Sequence, residues 1–302
     1  MRKFLTIGRG FEDHDHDDHD DHGGLHRDAL ATAHAMDRRK ALRTAAKFGA
    51  AFGALNLIGC SASDITGTST TGTTTGTVGA GTGGTGSGSS SNCVTKIPEE
   101  TAGPYPGDGS NGPNVLATSG IVRSDIRSSF AGLSGAAAGV PLTVELTLVD
   151  ASTCAVLASR AVYLWHCDAL GRYSLYSSGA TNQNYLRGVQ ATDAGGKVAF
   201  TTIYPGCYAG RWPHIHFEVY PSLAAATKVG NKVATSQIAL PKASSDLVYA
   251  TSGYAGSAAN AGRITLATDG IFSDSSALEL ATVTGDAASG FTAALTVAVS
   301  GA

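Results

Sequence analysis

Five short stretches of alternating character set the strongest limit on how this chain folds. They are PLTVELTLVD (Pro141–Asp150), RAVYLWHC (Arg160–Cys167), GKVAFTTIY (Gly196–Tyr204), HIHFEVY (His214–Tyr220) and GFTAALTVAV (Gly290–Val299). Period-two alternation lets a strand bury one face, and the Gly, Asp, Asn and Ser clusters between the stretches are turn signals. The pattern predicts an all-β domain, an antiparallel β-sandwich. One Ala-rich stretch near Ser252–Ala261 could form a short helix, although its glycines argue against it. No internal repeat is evident.

The N-terminal part reads as an address. The segment DRRKALRTAAKFGAAFGALNLIGC pairs Arg38 and Arg39 with a weakly apolar run that ends in Leu57-Ile58-Gly59-Cys60. A basic region, a short apolar region and small residues before a cut are the parts of an export signal. Twin arginines point to the route for folded proteins. The last four residues resemble a lipobox, with Cys60 the lipidated residue. The competing reading is an amphipathic helix with an incidental cysteine, which Lys47 favours by interrupting the apolar run.

Upstream, His14, His16, His19, His22 and His26 lie among carboxylates. Such tracts can bind metals, but this one precedes the expected cleavage point and would be removed. Met36 would serve as an alternative start to Met1. After Cys60 the chain is nearly pure Ser, Thr and Gly, a composition that cannot bury a core. The expected organisation is therefore 1–60 signal, 61–92 tether and 93–302 folded domain. The predicted location is the outer side of the bacterial cytoplasmic membrane or the outer membrane, held by a lipid anchor alone.

Composition excludes some functions. A net charge of −3 gives no basic face for nucleic acid, and no apolar run reaches the roughly 18 residues that span a bilayer. Four cysteines fall in the expected domain: Cys93, Cys154, Cys167 and Cys207. In an exported protein they point to disulfides, with three pairings open. A thiol at Cys207 is the competing reading.

Only three histidines lie beyond residue 93: His166, His214 and His216. On a strand, His214 and His216 project to the same face and Ile215 to the other. Two adjacent imidazoles are costly to bury unless their lone pairs are used, and a metal uses them. Glu218 shares that face and keeps a two-His, one-carboxylate site open. Tyr208 lies six residues before His214, and phenolate is a hard donor suited to a trivalent metal such as Fe(III).

The segment TTIYPGCYAGRWPHIHF resembles the signature of the intradiol ring-cleavage dioxygenases, non-haem Fe(III) enzymes that open catechol-type rings between the two hydroxylated carbons. Upstream, LWHCDALGRYS places Trp165 and Tyr173 in register with the same pattern. Leu186-Arg187-Gly188 and Thr192-Asp193-Ala194-Gly195 follow in order, as do the residues around Val122–Asp125 and the run GVPLTVELTLVD. ETAGPY (Glu100–Tyr105) is similar to a segment that walls the substrate pocket in some members. The resemblance runs from about Cys93 to Tyr220 and more loosely beyond.

The resemblance implies a β-sandwich of the intradiol dioxygenase core type, with Tyr173, Tyr208, His214 and His216 as Fe(III) ligands. Tyr208 would also act as a base and Arg211 would stabilise developing charge. Gly103, Pro104 and Tyr105 would meet the substrate. The partners implied are a small aromatic diol and O2, and the product a muconate-type diacid. The connection from Tyr208 to His214 is shorter than in the best-known members, and their helical dimerisation domain is absent, as in the exported single-domain branch. Oligomeric state stays open. His166 reads as a core or surface histidine rather than part of the site, Trp165 as packing beneath it, and Arg187 as pocket or structural ion pair. Two other readings compete: a sandwich binding module with a vestigial site, and a Cu or Zn redox enzyme using His214 and His216.

Overall fold

The computed structural model describes residues 95–300. The export signal, Cys60, the tether and Cys93 lie outside the described residues. Among the described residues, eight strands form two four-stranded sheets. The strands are β1 (Pro141–Asp150), β2 (Ala161–Trp165), β3 (Arg187–Ala191), β4 (Lys197–Ile203), β5 (His214–Tyr220), β6 (Ala234–Ala239), β7 (Thr282–Asp286) and β8 (Gly290–Val299). One sheet has the order β4-β1-β8-β7, the other β3-β2-β5-β6. Every strand pair is antiparallel except β1 with β8, which run parallel with Leu142 opposite Phe291. A parallel pair needs a long crossover, and the rest of the domain supplies it.

The two sheets share one apolar core. Leu142, Val144, Leu146 and Leu148 of β1 meet Val162 and Leu164 of β2 and Ile215, Phe217 and Val219 of β5 in a single cluster. This is the all-β sandwich that the alternation predicts. Burying a large aliphatic side chain there is worth about 1.5–3 kcal/mol.

β5 departs from the half-buried pattern, because all seven of its residues are buried. Its odd positions face the sandwich. The opposite face is covered by loops, which build a second cluster from Tyr163 and Trp165 of β2 with Val115, Leu116, Tyr173, Tyr208 and Tyr220. The histidines therefore lie on the outer face of one sheet, under a roof of chain.

Two helices, α1 (Lys242–Tyr249) and α2 (Ser257–Ala261), cross this end of the domain. The glycines at 253 and 256 do not prevent a helix; both sit before α2 at positive φ, where glycine is permissive. No helix among the described residues is long and apolar enough to cross a membrane. Cys167 and Cys207 are buried thiols, and Cys154 is disulfide-bonded. The thiol reading of Cys207 is the one that holds.

Candidate metal centre

β5 and two loops bring four side chains to one point. Nε2 of His214 lies 3.1 Å from Nε2 of His216, 3.2 Å from the Tyr208 hydroxyl and 3.4 Å from the Tyr173 hydroxyl. Nε2 of His216 is 3.2 Å from the Tyr173 hydroxyl. Donors about 2.0–2.1 Å from a common ion, at angles near 100–110°, stand about 3.1–3.4 Å apart. The spacing is compatible with a coordination shell.

Local structure fixes each donor. Nδ1 of His214 is 2.5 Å from the Trp212 carbonyl. A carbonyl only accepts, so Nδ1 carries the proton and Nε2 presents its lone pair. His216 stacks on Trp165 at 5.0 Å and 5°, its cross-strand neighbour between β5 and β2. Burial first, then Arg211 for His214 and His214 for His216, holds both imidazoles well below their ordinary pKa. They are neutral at pH 7, the form that binds metal.

The tyrosines come from loops pinned on several sides. The backbone N–H of Cys207 donates to Ser257 Oγ, and Asn260 Nδ2 donates to the Cys207 carbonyl, so α2 grips the residue just before Tyr208. The hydroxyl of Tyr249 in α1 reaches the Pro205 carbonyl. On the other side Gly171, at φ +79, presses against Tyr208, where an added Cβ would lie 3.0 Å from the Tyr208 Cβ. Two residues on, the backbone N–H of Tyr173 donates to Ser177 Oγ.

Arg211 is buried beside Asp269, with Nε 3.0 Å from Asp269 Oδ2 and Nη2 2.6 Å from Gln237 Oε1. Burial alone would lower its pKa, yet Tyr208 and Asp269 outweigh that and raise it. The guanidinium keeps its charge close to both phenols.

The predicted pocket segment lies against the donors. A Cβ on Gly103, at φ +68, would come 3.3 Å from His216 Cε1, and the Tyr105 ring sits 5.0 Å from that of Tyr173. The carbonyl of Pro104 accepts from Asn111. Arg187 forms no ion pair among the described residues. It donates to the carbonyls of Pro106, Tyr105 and Ser174, the Ser174 hydroxyl and the Tyr163 hydroxyl, and so ties this segment to the Tyr173 loop.

His166 is buried away from the donors, between Thr202 Oγ1 and the Cys167 carbonyl, each 2.7 Å away. Glu218 shares the histidine face as expected, but its oxygens take Lys232 Nζ at 2.9 Å and the Tyr220 hydroxyl at 2.7 Å. No cluster of three or more His, Cys, Asp and Glu able to hold a metal occurs among the described residues. Here half the donor set is phenolic. Two neutral imidazoles and two phenols suit a hard, trivalent ion better than Cu or Zn, so the residues present fit Fe(III).

Asp269, Gln237, Ser257 and Asn260 carried no signal in the sequence. They are single polar residues outside any motif, and only the fold brings them to the Tyr208–His214 loop.

A family model described as Dioxygenase matches residues 112–226, a span that includes all four donors and Arg211. No curated protein matches by sequence. Among solved structures, the fold is similar to an intradiol ring-cleavage dioxygenase from Tetranychus urticae, at 25% identity and TM-score 0.53, covering 68% of this chain and 95% of that one. A second dioxygenase crystal structure aligns at 26% identity and TM-score 0.54, covering 69% and 95%. The matched model and shared fold define a dioxygenase-type β-sandwich. Over residues 112–226 the chain is thus similar to dioxygenases, and in fold to an intradiol ring-cleavage dioxygenase.

Proposed function

We propose that this protein opens the ring of a catechol-type aromatic diol with O2, using Fe(III) held by Tyr173, Tyr208, His214 and His216, to give a muconate-type diacid. The observation that carries this reading is a buried site in which His214 Nε2 lies 3.1–3.4 Å from the other three donor atoms and His216 Nε2 lies 3.2 Å from the Tyr173 hydroxyl. Fe(III), when bound, would bind the diol as its catecholate and make the ring reactive towards O2.

The chain's own residues have separable tasks. His214 and His216 hold their Nε2 lone pairs inward as neutral donors. The Tyr208 oxygen, as the phenolate, would be the base that takes a proton from the diol and becomes the neutral phenol. The Arg211 guanidinium is a fixed cation, and in a buried site such a charge stabilises a developing oxyanion far more than it would in water. Gly103 leaves room beside His216, and the Tyr105 ring forms a wall for a flat aromatic. The same reading includes export as a lipoprotein anchored at Cys60, supported by the twin arginines and the Leu57–Cys60 segment.

The test is the visible spectrum and iron content of the purified protein. Phenolate bound to Fe(III) should colour it red, and a catechol added without oxygen should shift the band. A protein that stays colourless after iron loading would refute this assignment and favour a binding module.

A further inference from the structure

Residues 208–214 cross from one tyrosine to the first histidine; Ala209 and Gly210 are exposed, whereas Trp212 is buried against Ala239, Ile271 and Phe272. Gly210, at φ +83, has nothing within 4 Å of where a Cβ would stand. A free arginine on such a loop would sample many rotamers, losing about 2 kcal/mol on being fixed. The loop is instead held from far along the chain.

We propose that Asp269 is the positioning residue for Arg211, fixing both the guanidinium and the loop that carries it; this rests on the dioxygenase reading above. Asp269 is 0% exposed and Arg211 4%. One carboxylate oxygen, Oδ2, accepts from Arg211 Nε at 3.0 Å and from the Trp212 backbone N–H at 2.6 Å. The other, Oδ1, accepts the backbone N–H groups of Ile271 at 2.8 Å and Phe272 at 3.1 Å. The carboxylate therefore joins two segments: the Arg211 loop and the turn that sets Phe272.

Phe272 in turn faces the site. Its ring lies 5.8 Å from Arg211 Cζ and 6.4 Å from the His214 ring. Gln237 completes the grip, taking Arg211 Nη2 through Oε1 and donating through Nε2 to the Thr101 carbonyl at 2.9 Å, two residues before Gly103. With Nε and Nη2 held, no acceptor among the described residues takes Nη1, which is left for an oxyanion of the bound diol. Asp269 also compensates a buried cation that would otherwise be costly to desolvate. It touches neither donor set nor diol, and acts through Arg211.

The test compares wild type, Asp269→Asn and Asp269→Glu by iron content, visible band, 4-nitrocatechol affinity and turnover per iron. Asp269→Asn should keep iron and band, weaken 4-nitrocatechol about tenfold and lower kcat about 10- to 100-fold, with Asp269→Glu recovering part of the loss. Native affinity and turnover in Asp269→Asn would overturn the proposal. So would a loss that simply follows loss of the band, which marks a structural support. If Asp269→Asn does not fold, Arg211→Lys serves instead. It keeps the charge but not the two-point grip, and should show the same losses; wild-type behaviour would overturn the proposal. A wild type with neither band nor 4-nitrocatechol response sinks the dioxygenase reading, and this proposal with it.

Discussion

His214 and His216 turn their Nε2 atoms towards each other across 3.1 Å, on a strand with no exposed residue. With the His214 proton fixed on Nδ1, its Nε2 offers only a lone pair. A cation between the rings turns this costly contact into a favourable one. Removing the metal with a chelator should therefore destabilise the protein. At free ion a thousandfold above Kd, binding contributes about 4 kcal/mol, which in a domain of this size lowers Tm by on the order of 10 °C. Thermal melts of iron-loaded and chelated protein check this; equal melting points would contradict it.

Gly171 is the contact that sets Tyr208 from below. Gly171→Ala asks an L-residue to adopt φ +79 and places its Cβ 3.0 Å from the Tyr208 Cβ. The strain alone should cost about 1–2 kcal/mol. The displaced phenol should also weaken the visible band at equal protein concentration. Denaturant melts and spectra of this variant, taken together, separate the two effects.

His166 gives the fold a pH dependence of its own. Burial pushes its pKa down to about 4, from an ordinary value near 6.5. The unfolded chain thus binds the proton more readily than the folded one. Its contribution is fully present above pH 6.5 and is lost as pH falls towards 4. The full effect is on the order of 3 kcal/mol. Stability measured from pH 7 to 4 should fall less steeply in His166→Gln than in the wild type, and parallel curves would refute the assignment.

Arg187 is the structural tie between the Gly103–Pro106 segment and the Tyr173 loop. Arg187→Ala would take the guanidinium from three backbone carbonyls and two hydroxyls, of which the Pro106 carbonyl keeps another donor, the Tyr163 hydroxyl. A buried charged hydrogen bond contributes about 1.5–3 kcal/mol, so a loss of at least 3 kcal/mol is expected by urea denaturation. A change below 1 kcal/mol would show that other contacts hold this segment.

The Cys207 thiol, buried beside Tyr208, has its pKa pushed up to about 12 by burial. Little thiolate forms at pH 8, so a thiol reagent should label it only as fast as the protein unfolds. Labelling kinetics followed across a urea series give the comparison.

Much of this architecture was legible because two periodicities coincide. In HIHFEVY the apolar residues Ile215, Phe217 and Val219 mark a sandwich face, and the residues between them mark what the other face does. The convergence of Tyr173, Tyr208, His214 and His216 was readable because they sit in short motifs along the chain. The β1–β8 pairing was not, since alternation shows that a strand has a buried face but not which neighbour it pairs with or in which direction. α1 was also missed: KASSDLVY has few apolar residues, and its place is set by Val248, Tyr249 and two serines packing beneath Tyr204. Glu218 shows the opposite failure. Its face was right and Tyr220 shares it on the same strand, but Lys232, which pairs with the carboxylate, comes from a position that the strand pattern does not connect to it.

A strand buried on both faces has no harmless register error. Slipping β5 by one residue would drive two imidazoles and a carboxylate into the sandwich and turn Ile215 and Phe217 towards the tyrosines. A chain that folded wrongly at this strand would have no set of converging donors. Colour, on this reading, is an assay of assembly: a red molecule is one whose strand has found its place.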